Sequence, residues 1–106
     1  GYRVGPTDVE NTVLTHPAVA ESAAVGQPDE IRGEVIKSYI VLREGFEASD
    51  ALADEIRQRV RERLSTHAFP RVIEFVEALP KTPSGKIQRF KLRTDAAEKA
   101  VAAAEK

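Results

Sequence analysis

The sequence predicts an α+β domain: a small three-stranded sheet covered by helices, with an N-terminal hairpin or turn and a C-terminal helix. Three observations carry this. Leu52, Ile56, Val60 and Leu64 recur every four residues with Arg and Glu between them, the stripe of an amphipathic helix. Residues 34–43 hold Val35-Ile36 and Tyr39-Ile40-Val41-Leu42, a run rich in β-branched and aromatic residues that reads as a strand. Pro and Gly fall between these segments rather than inside them, where they mark loops.

In chain order, Gly1 to Pro6 reads as a tight turn or hairpin, with glycines on both sides of Tyr-Arg-Val. Thr7-Asp-Val-Glu10 has the spacing of a capping box, and Val9, Val13 and Leu14 continue it as a helix. His16-Pro17 ends that helix, because the residue before proline avoids helical angles. Val19 to Val25 reads as a strand, Gln27 to Glu30 as a loop, and Gly45 to Asp50 as another. The amphipathic helix spans Asp50 to Ser65, and Pro70 breaks the chain after it. Val72 to Leu79 is the third strand. Pro80 to Gly85 is a loop, and Arg89 onward is helical, with an alanine-rich tail over 94–106 that frays or extends. Such an order of elements is an α+β pattern, a small sheet covered by helices.

A chain of 106 residues is one domain's worth. Apolar residues make up 42% and charged residues 31%, a globular mix rather than a disordered one. Lys and Arg number 16 against 17 Asp and Glu, a net charge of -1, so no global charge points to nucleic acid or to an anionic membrane. No apolar run has the length of a membrane span. Cysteine is absent, which removes disulfides, thiolate metal sites and cysteine nucleophiles and fits a cytoplasmic protein. Methionine is absent too, so the chain is expected to be an excised domain of a larger protein. There are no internal repeats.

The segment from Pro80 to Arg93 concentrates the chemistry. It holds the cations Lys81, Lys86, Arg89, Lys91 and Arg93 and no acid. Pro80 and Pro83 restrict one side of the loop, Gly85 permits a tight turn, and Ile87, Phe90 and Leu92 can anchor the other side. The expected product is a loop that holds the Lys86 ammonium outward on a fixed base. A lysine is cationic at neutral pH, so it would act electrostatically on a carboxylate or phosphate. A solvated surface lysine is the plain alternative. A phosphate-binding P-loop is excluded at both ends, since Pro80 stands where it needs Gly and Ile87 where it needs Ser or Thr. Nucleic-acid binding has little support, because Phe90 is the sole aromatic in the run and is expected to pack inward. His16 and His67 lie in no metal-ligand spacing, and the Glu55 and Glu62 face reads as solvated.

Pro80-Lys-Thr-Pro-Ser-Gly-Lys-Ile-Gln-Arg89 resembles the last signature of the adenylate-forming enzymes: acyl-CoA synthetases, peptide-synthetase adenylation domains and luciferases. Gly1-Tyr-Arg-Val-Gly-Pro-Thr-Asp-Val-Glu10 is similar to the signature after that family's interdomain hinge. His16 to Gly26, Pro28-Asp29, Arg32-Gly-Glu34 and Phe69-Pro-Arg71 follow in the same order, so the resemblance runs over 1–93. Within the family it is nearest to acetyl-CoA and medium-chain acyl-CoA synthetases. Members often carry a lysine just before the position of Phe69; here His67-Ala68 stand in that stretch.

The resemblance implies a single mobile C-terminal domain (1–106) of a two-domain ligase, whose N-terminal ATP- and acyl-binding domain is absent here. It implies ATP and CoA as substrates, with Mg expected in the full enzyme but not on this domain. Lys86 would serve adenylation. Gly1, Tyr2 and Arg3 would line the pantetheine channel, and Arg3, Arg32 and Arg71 would contact CoA phosphates or the nucleotide, since guanidinium suits phosphate. Partners would be the N-terminal domain, CoA and the acyl-adenylate, with no nucleic acid and no membrane. This chain alone is expected to be inactive. Alternatives are the matching subdomain of a peptide synthetase, whose acceptor thiol sits on a carrier protein, and a non-catalytic module binding an acidic partner through Lys81 to Arg93.

Overall fold

A computed structural model of the chain describes residues 5–104. The order of elements is α1 (Pro6–Val13), β1 (Val19–Asp29), β2 (Gly33–Leu42), α2 (Asp50–Arg63), β3 (Val72–Phe75) and α3 (Arg89–Ala104). The sheet order is β1-β2-β3. β1 and β2 form an antiparallel hairpin from Val19↔Leu42 to Asp29↔Gly33, with a register shift between Val19 and Glu21. β3 returns through α2 and runs parallel to β2, from Lys37↔Val72 to Ile40↔Phe75. A parallel return needs such a crossover helix. The α+β class with a three-stranded sheet is what the sequence predicted.

The predicted N-terminal turn falls mostly on residues outside the described range. Gly5 is the N-cap of α1 and Pro6 its first residue, a position where proline loses nothing because that N–H has no helical partner. The predicted capping box is corrected by two residues, to Gly5 and Asp8. The Gly5 N–H donates to Asp8 Oδ2 at 3.1 Å, while Thr7 takes no capping role and Glu10 is turned inward. After α1, the buried His16 accepts the Ala18 N–H on Nδ1 at 3.0 Å. A backbone N–H can only donate, so the ring proton of the neutral form sits on Nε2, which faces Glu55 Oε2 at 2.5 Å. Glu55 is therefore more than a solvated residue: it ties α2 to the end of α1.

β1 runs longer than predicted, through Pro28, because it is an edge strand. Proline there costs no ladder bond, and its partner Glu34 pairs across it. The turn that follows is closed by Asp29, whose Oδ2 accepts the N–H groups of Ile31 and Arg32 at 3.2 and 2.8 Å. β3 is shorter than predicted; past Phe75 the chain leaves the ladder.

Two apolar clusters hold the layers together. On one face α1 and α2 meet the sheet through Val9, Val13, Val19, Ala24, Ile40, Ile56 and Val60. On the other, α3 packs Leu92 and Ala96 against Ala23, Val25, Tyr39 and Leu79. Burying one such Val, Ile or Leu side chain is worth about 1.5–3 kcal/mol. Of the two predicted forms of the alanine-rich tail, the described residues show the extended helix, to Ala104, and polar contacts help to dock it. The Tyr39 hydroxyl donates to Asp95 Oδ2 at 2.7 Å. Lys99 Nζ lies 2.6 Å from both Glu74 oxygens and 3.2 Å from Asp95. Glu74 also receives the buried Lys37 ammonium at 2.9 Å, so β2, β3 and α3 share one network.

Candidate functional site

The loop before α3 is a tight hairpin. Lys81 bridges Ile87 in antiparallel fashion, and the Thr82 N–H donates to the Lys86 carbonyl at 2.8 Å. The Gly85 N–H donates to the Thr82 carbonyl at 2.9 Å, closing a four-residue β-turn with Pro83 second and Ser84 third. Gly85 has φ +90, and among the described residues no non-glycine residue has positive φ. A type II turn would need positive φ at Ser84, so the turn is type I followed by a left-handed glycine. That is a three-residue hairpin loop with a glycine bulge. Proline supplies the φ required at the second position.

Thr82 adds a side-chain lock. Its Oγ1 accepts the Lys86 N–H at 3.1 Å and sits 3.0 Å from Ser84 Oγ. The backbone of Lys86 is thereby fixed from both sides: its N–H by a side chain, its carbonyl by a cross-strand bond. Its side chain is exposed and pairs with no carboxylate among the described residues. The arrangement is a free cation on a rigid mount.

Both legs of this hairpin are held by ion pairs to the first third of the chain. On the approach, the Lys81 ammonium pairs with Glu21 of β1. On the exit, Arg89 grips Glu10 of α1 with two nitrogens, Nη2 on Oε1 and Nε on Oε2. Glu10 is 8% exposed, and its Oε2 also accepts the Ala24 N–H at 2.9 Å. β1 is an edge strand, so alternate N–H groups point away from β2 and need another acceptor; Glu10 is that acceptor. Of the expected anchors, Leu92 is buried, Ile87 is half-buried, and Phe90 is corrected: it stands 57% exposed rather than packed inward. The first turn of α3 turns that side chain away from the sheet.

Arg32 and Arg71 lie elsewhere. Arg32 is at the β1–β2 turn, its Nη1 3.8 Å from Asp29 Oδ2, a loose contact that leaves the guanidinium available. Arg71 precedes β3, and its guanidinium lies over the Phe69 ring at 4.7 Å, with that of Arg61 over the same ring at 4.0 Å. The segment is pinned to α2 by Arg57, which donates to the Pro70 and Arg71 carbonyls. Arg61 had no motif to mark it in the sequence; only its contact with Phe69 does.

The structure therefore sets Lys86 apart from Arg32, while Arg71, just before Val72, lies level with the middle of β2. Lys81 reaches Glu21, eight residues along β1 from Asp29, roughly 26 Å at about 3.3 Å per strand residue. α3 spans the interval: Arg89 begins it at the Lys86 end, while Ala100 and Val101 meet Pro28 and Gly33 at the Arg32 end. Gly1, Tyr2 and Arg3 lie outside the described residues. Among the described residues, no three His, Cys, Asp or Glu side chains converge as a metal site. No helix among them is long and apolar enough to cross a membrane.

The sequence pattern of the AMP-binding enzyme C-terminal domain matches residues 8–86, and the chain belongs to that family. It is 56% identical over 93 residues to acetyl-coenzyme A synthetase of Bacillus subtilis, covering 88% of this chain and 16% of that protein. It superposes with a TM-score of 0.88 on the crystal structure of an acyl-CoA synthetase from Brucella canis, at 56% identity, over 93% of this chain and 18% of that one. With an anthranilate CoA ligase solved in complex with anthranoyl-AMP, the TM-score is 0.85 at 45% identity, over 92% of this chain and 19% of that one. The chain spans about a sixth of the length of the curated relatives it matches.

Proposed function

We propose that this chain is the mobile C-terminal domain of an AMP-forming acyl-CoA synthetase, which joins a carboxylate to CoA at the expense of ATP. In the first step the carboxylate attacks the α-phosphorus of ATP and pyrophosphate leaves, giving acyl-AMP. In the second the CoA thiol attacks the acyl carbon, its proton leaves, and AMP departs. Both substrates and the acyl group would sit chiefly on the large domain that makes up the rest of such relatives. The observation that carries this reading is the mount of Lys86: a type I turn and glycine bulge hold an unpaired ammonium outward.

Its chemical use follows from charge. The first step brings a carboxylate against a polyphosphate, and a preorganised cation between them lowers the repulsion as the bond forms. Lys86 would fill that position. For the second step the domain would turn its other end inward. Arg71, flattened on Phe69 beside Arg61, and Arg32 at the hairpin tip would face the CoA phosphates, and Gly1, Tyr2 and Arg3 would border the pantetheine. The separation of the two ends supports a domain that serves one half-reaction at a time.

The test uses the full-length enzyme and carboxylate-dependent exchange of labelled pyrophosphate into ATP. Lys86→Ala is expected to reduce exchange by about 10²–10³-fold, the usual loss for one preorganised donor. Thioester formation from supplied acyl-AMP should be spared. Normal exchange in the variant would make Lys86 a surface lysine and end this reading.

A further inference from the structure

The adenylation reading gives Lys86 its role but leaves unexplained why Arg89, three residues later, is gripped so firmly. We infer that Glu10 and Arg89 form a positioning clamp for Lys86, so that adenylation depends on a carboxylate located on α1. This rests on the function proposed above and adds residues to it.

The geometry is specific. Arg89 uses Nε and Nη2 on the two oxygens of one carboxylate, the forked contact that fixes orientation as well as distance. Glu10 cannot drift to accommodate it, because its Oε2 is also held by the Ala24 N–H of β1 and it is nearly buried. Arg89 is in turn the first residue of α3. Its neighbour Gln88 donates its N–H to the Pro80 carbonyl at 2.9 Å, closing the base of the hairpin. The clamp therefore sets where the exit leg starts, and the bulge and Thr82 lock carry that setting rigidly to Lys86. On the approach leg, Lys81 is about as exposed as Arg89, but the side chain of its acceptor Glu21 is 35% exposed where that of Glu10 is 10%, so that pair is the softer of the two. A small shift of the mount matters, since a misplacement of about 1 Å can cost about 10²-fold in rate.

Stability has other sources: α3 is docked independently by Leu92, Ala96, Asp95 and Lys99. Loss of the fork should move the loop more than it unfolds the domain. Glu10 also lies on the helix that directly follows the Gly1–Gly5 segment. The clamp thus joins the Lys86 hairpin to α1.

The experiment compares wild type, Arg89→Gln, Arg89→Lys and Lys86→Ala in the full-length enzyme, by pyrophosphate exchange, thioester formation from supplied acyl-AMP, and thermal unfolding. Arg89→Gln is expected to lower kcat for exchange by about tenfold or more, while KM for ATP and carboxylate changes less than about threefold; that pattern marks loss of a transition-state interaction rather than of binding. Thioester formation should stay within about twofold of wild type. Arg89→Lys keeps the charge but not the fork, and should recover only part of the loss. Unchanged exchange kcat in both variants would overturn the clamp. So would an equal fall of both half-reactions in step with a lower Tm, which is a structural effect. Should Arg89→Gln fail to fold, Arg89→Lys decides alone by the same criteria. Lys86→Ala separates the two ideas: collapse there with normal Arg89 variants removes only the clamp, whereas normal exchange in Lys86→Ala removes the function as well.

Discussion

Gly85 shows how one residue fixes a site. Its φ of +90 lies in the left-handed region, where an L side chain crowds its own carbonyl at a cost of about 1–2 kcal/mol. Space is not the obstacle, since a Cβ there would meet nothing within 4 Å. Gly85→Ala is therefore expected to fold, with the cost falling on the turn. Each kcal/mol should lower Tm by about 4–8 °C in a chain of this size. If the backbone relieves the strain by rotating, the Thr82 lock on the Lys86 N–H is lost and exchange falls while thioester formation holds. A variant with wild-type Tm and wild-type exchange would show that the bulge is not needed. The position of Lys86 was legible in the sequence because proline and glycine constrain the backbone locally. The clamp on Arg89 was not, because its partner is 79 residues away and Glu10 sits in a pattern that equally suits a helix cap.

At the scale of elements, α3 is the part the sequence described least well. Alanine has high helix propensity but offers little surface, so the pattern alone suggests fraying. Leu92 and Ala96 dock the helix together with a charge network, and that network makes stability depend on pH at both extremes. Hydrogen bonding from Tyr39 holds the Asp95 carboxyl below its ordinary range, against an opposing effect of burial and with further help from Lys99. Burial alone would raise Glu74, but hydrogen bonds from Lys99 and Lys37 outweigh it and hold it below the usual carboxylate range. Both groups therefore bind fewer protons folded than unfolded at mildly acidic pH. Their stabilisation is fully present above the unfolded carboxylate values of about 4 and is lost as pH falls through the lower folded ones. The alkaline side has the opposite sign. The hydrogen bond to Glu74 raises Lys99, against burial and with Asp95 adding to it. Burial, then Asp95 and Glu74, push the Tyr39 hydroxyl far above the phenol range. Their contribution is whole below about pH 10 and is lost as pH rises through the folded values. Thermal unfolding across pH should show a plateau with a fall on each side. Lys99→Met should flatten both flanks by removing a partner from Glu74 and Asp95; unchanged flanks would place the pH dependence elsewhere.

Over the whole molecule, the spacing between the two ends is the property that matters for a two-step reaction. The sequence resemblance named Lys86 and Arg32 without saying that they lie apart, because separation is set by β1 and α3 acting as struts. Two mutually rigid ends predict nearly independent effects. Arg32→Ala with Arg71→Ala should raise KM for CoA by about tenfold or more, since a charge-assisted contact to phosphate contributes about 1.5–3 kcal/mol, and should leave pyrophosphate exchange unchanged. Combined with Arg89→Gln, the losses in the two half-reactions should add within about 0.5 kcal/mol, as expected for sites that share no partner. The check is a double-mutant cycle on each half-reaction separately. Strong coupling would mean that the ends communicate through α3, and the domain would then be a lever rather than a rigid carrier of two faces. The identity of the acyl group should not move in any of these variants. Similarity is high both to an acetyl-coenzyme A synthetase and to an anthranilate CoA ligase, whose named acids differ greatly in size, so under the proposed function discrimination between acids is expected to lie outside this domain. A change in carboxylate preference on mutating Lys86 or Arg71 would contradict that division of labour.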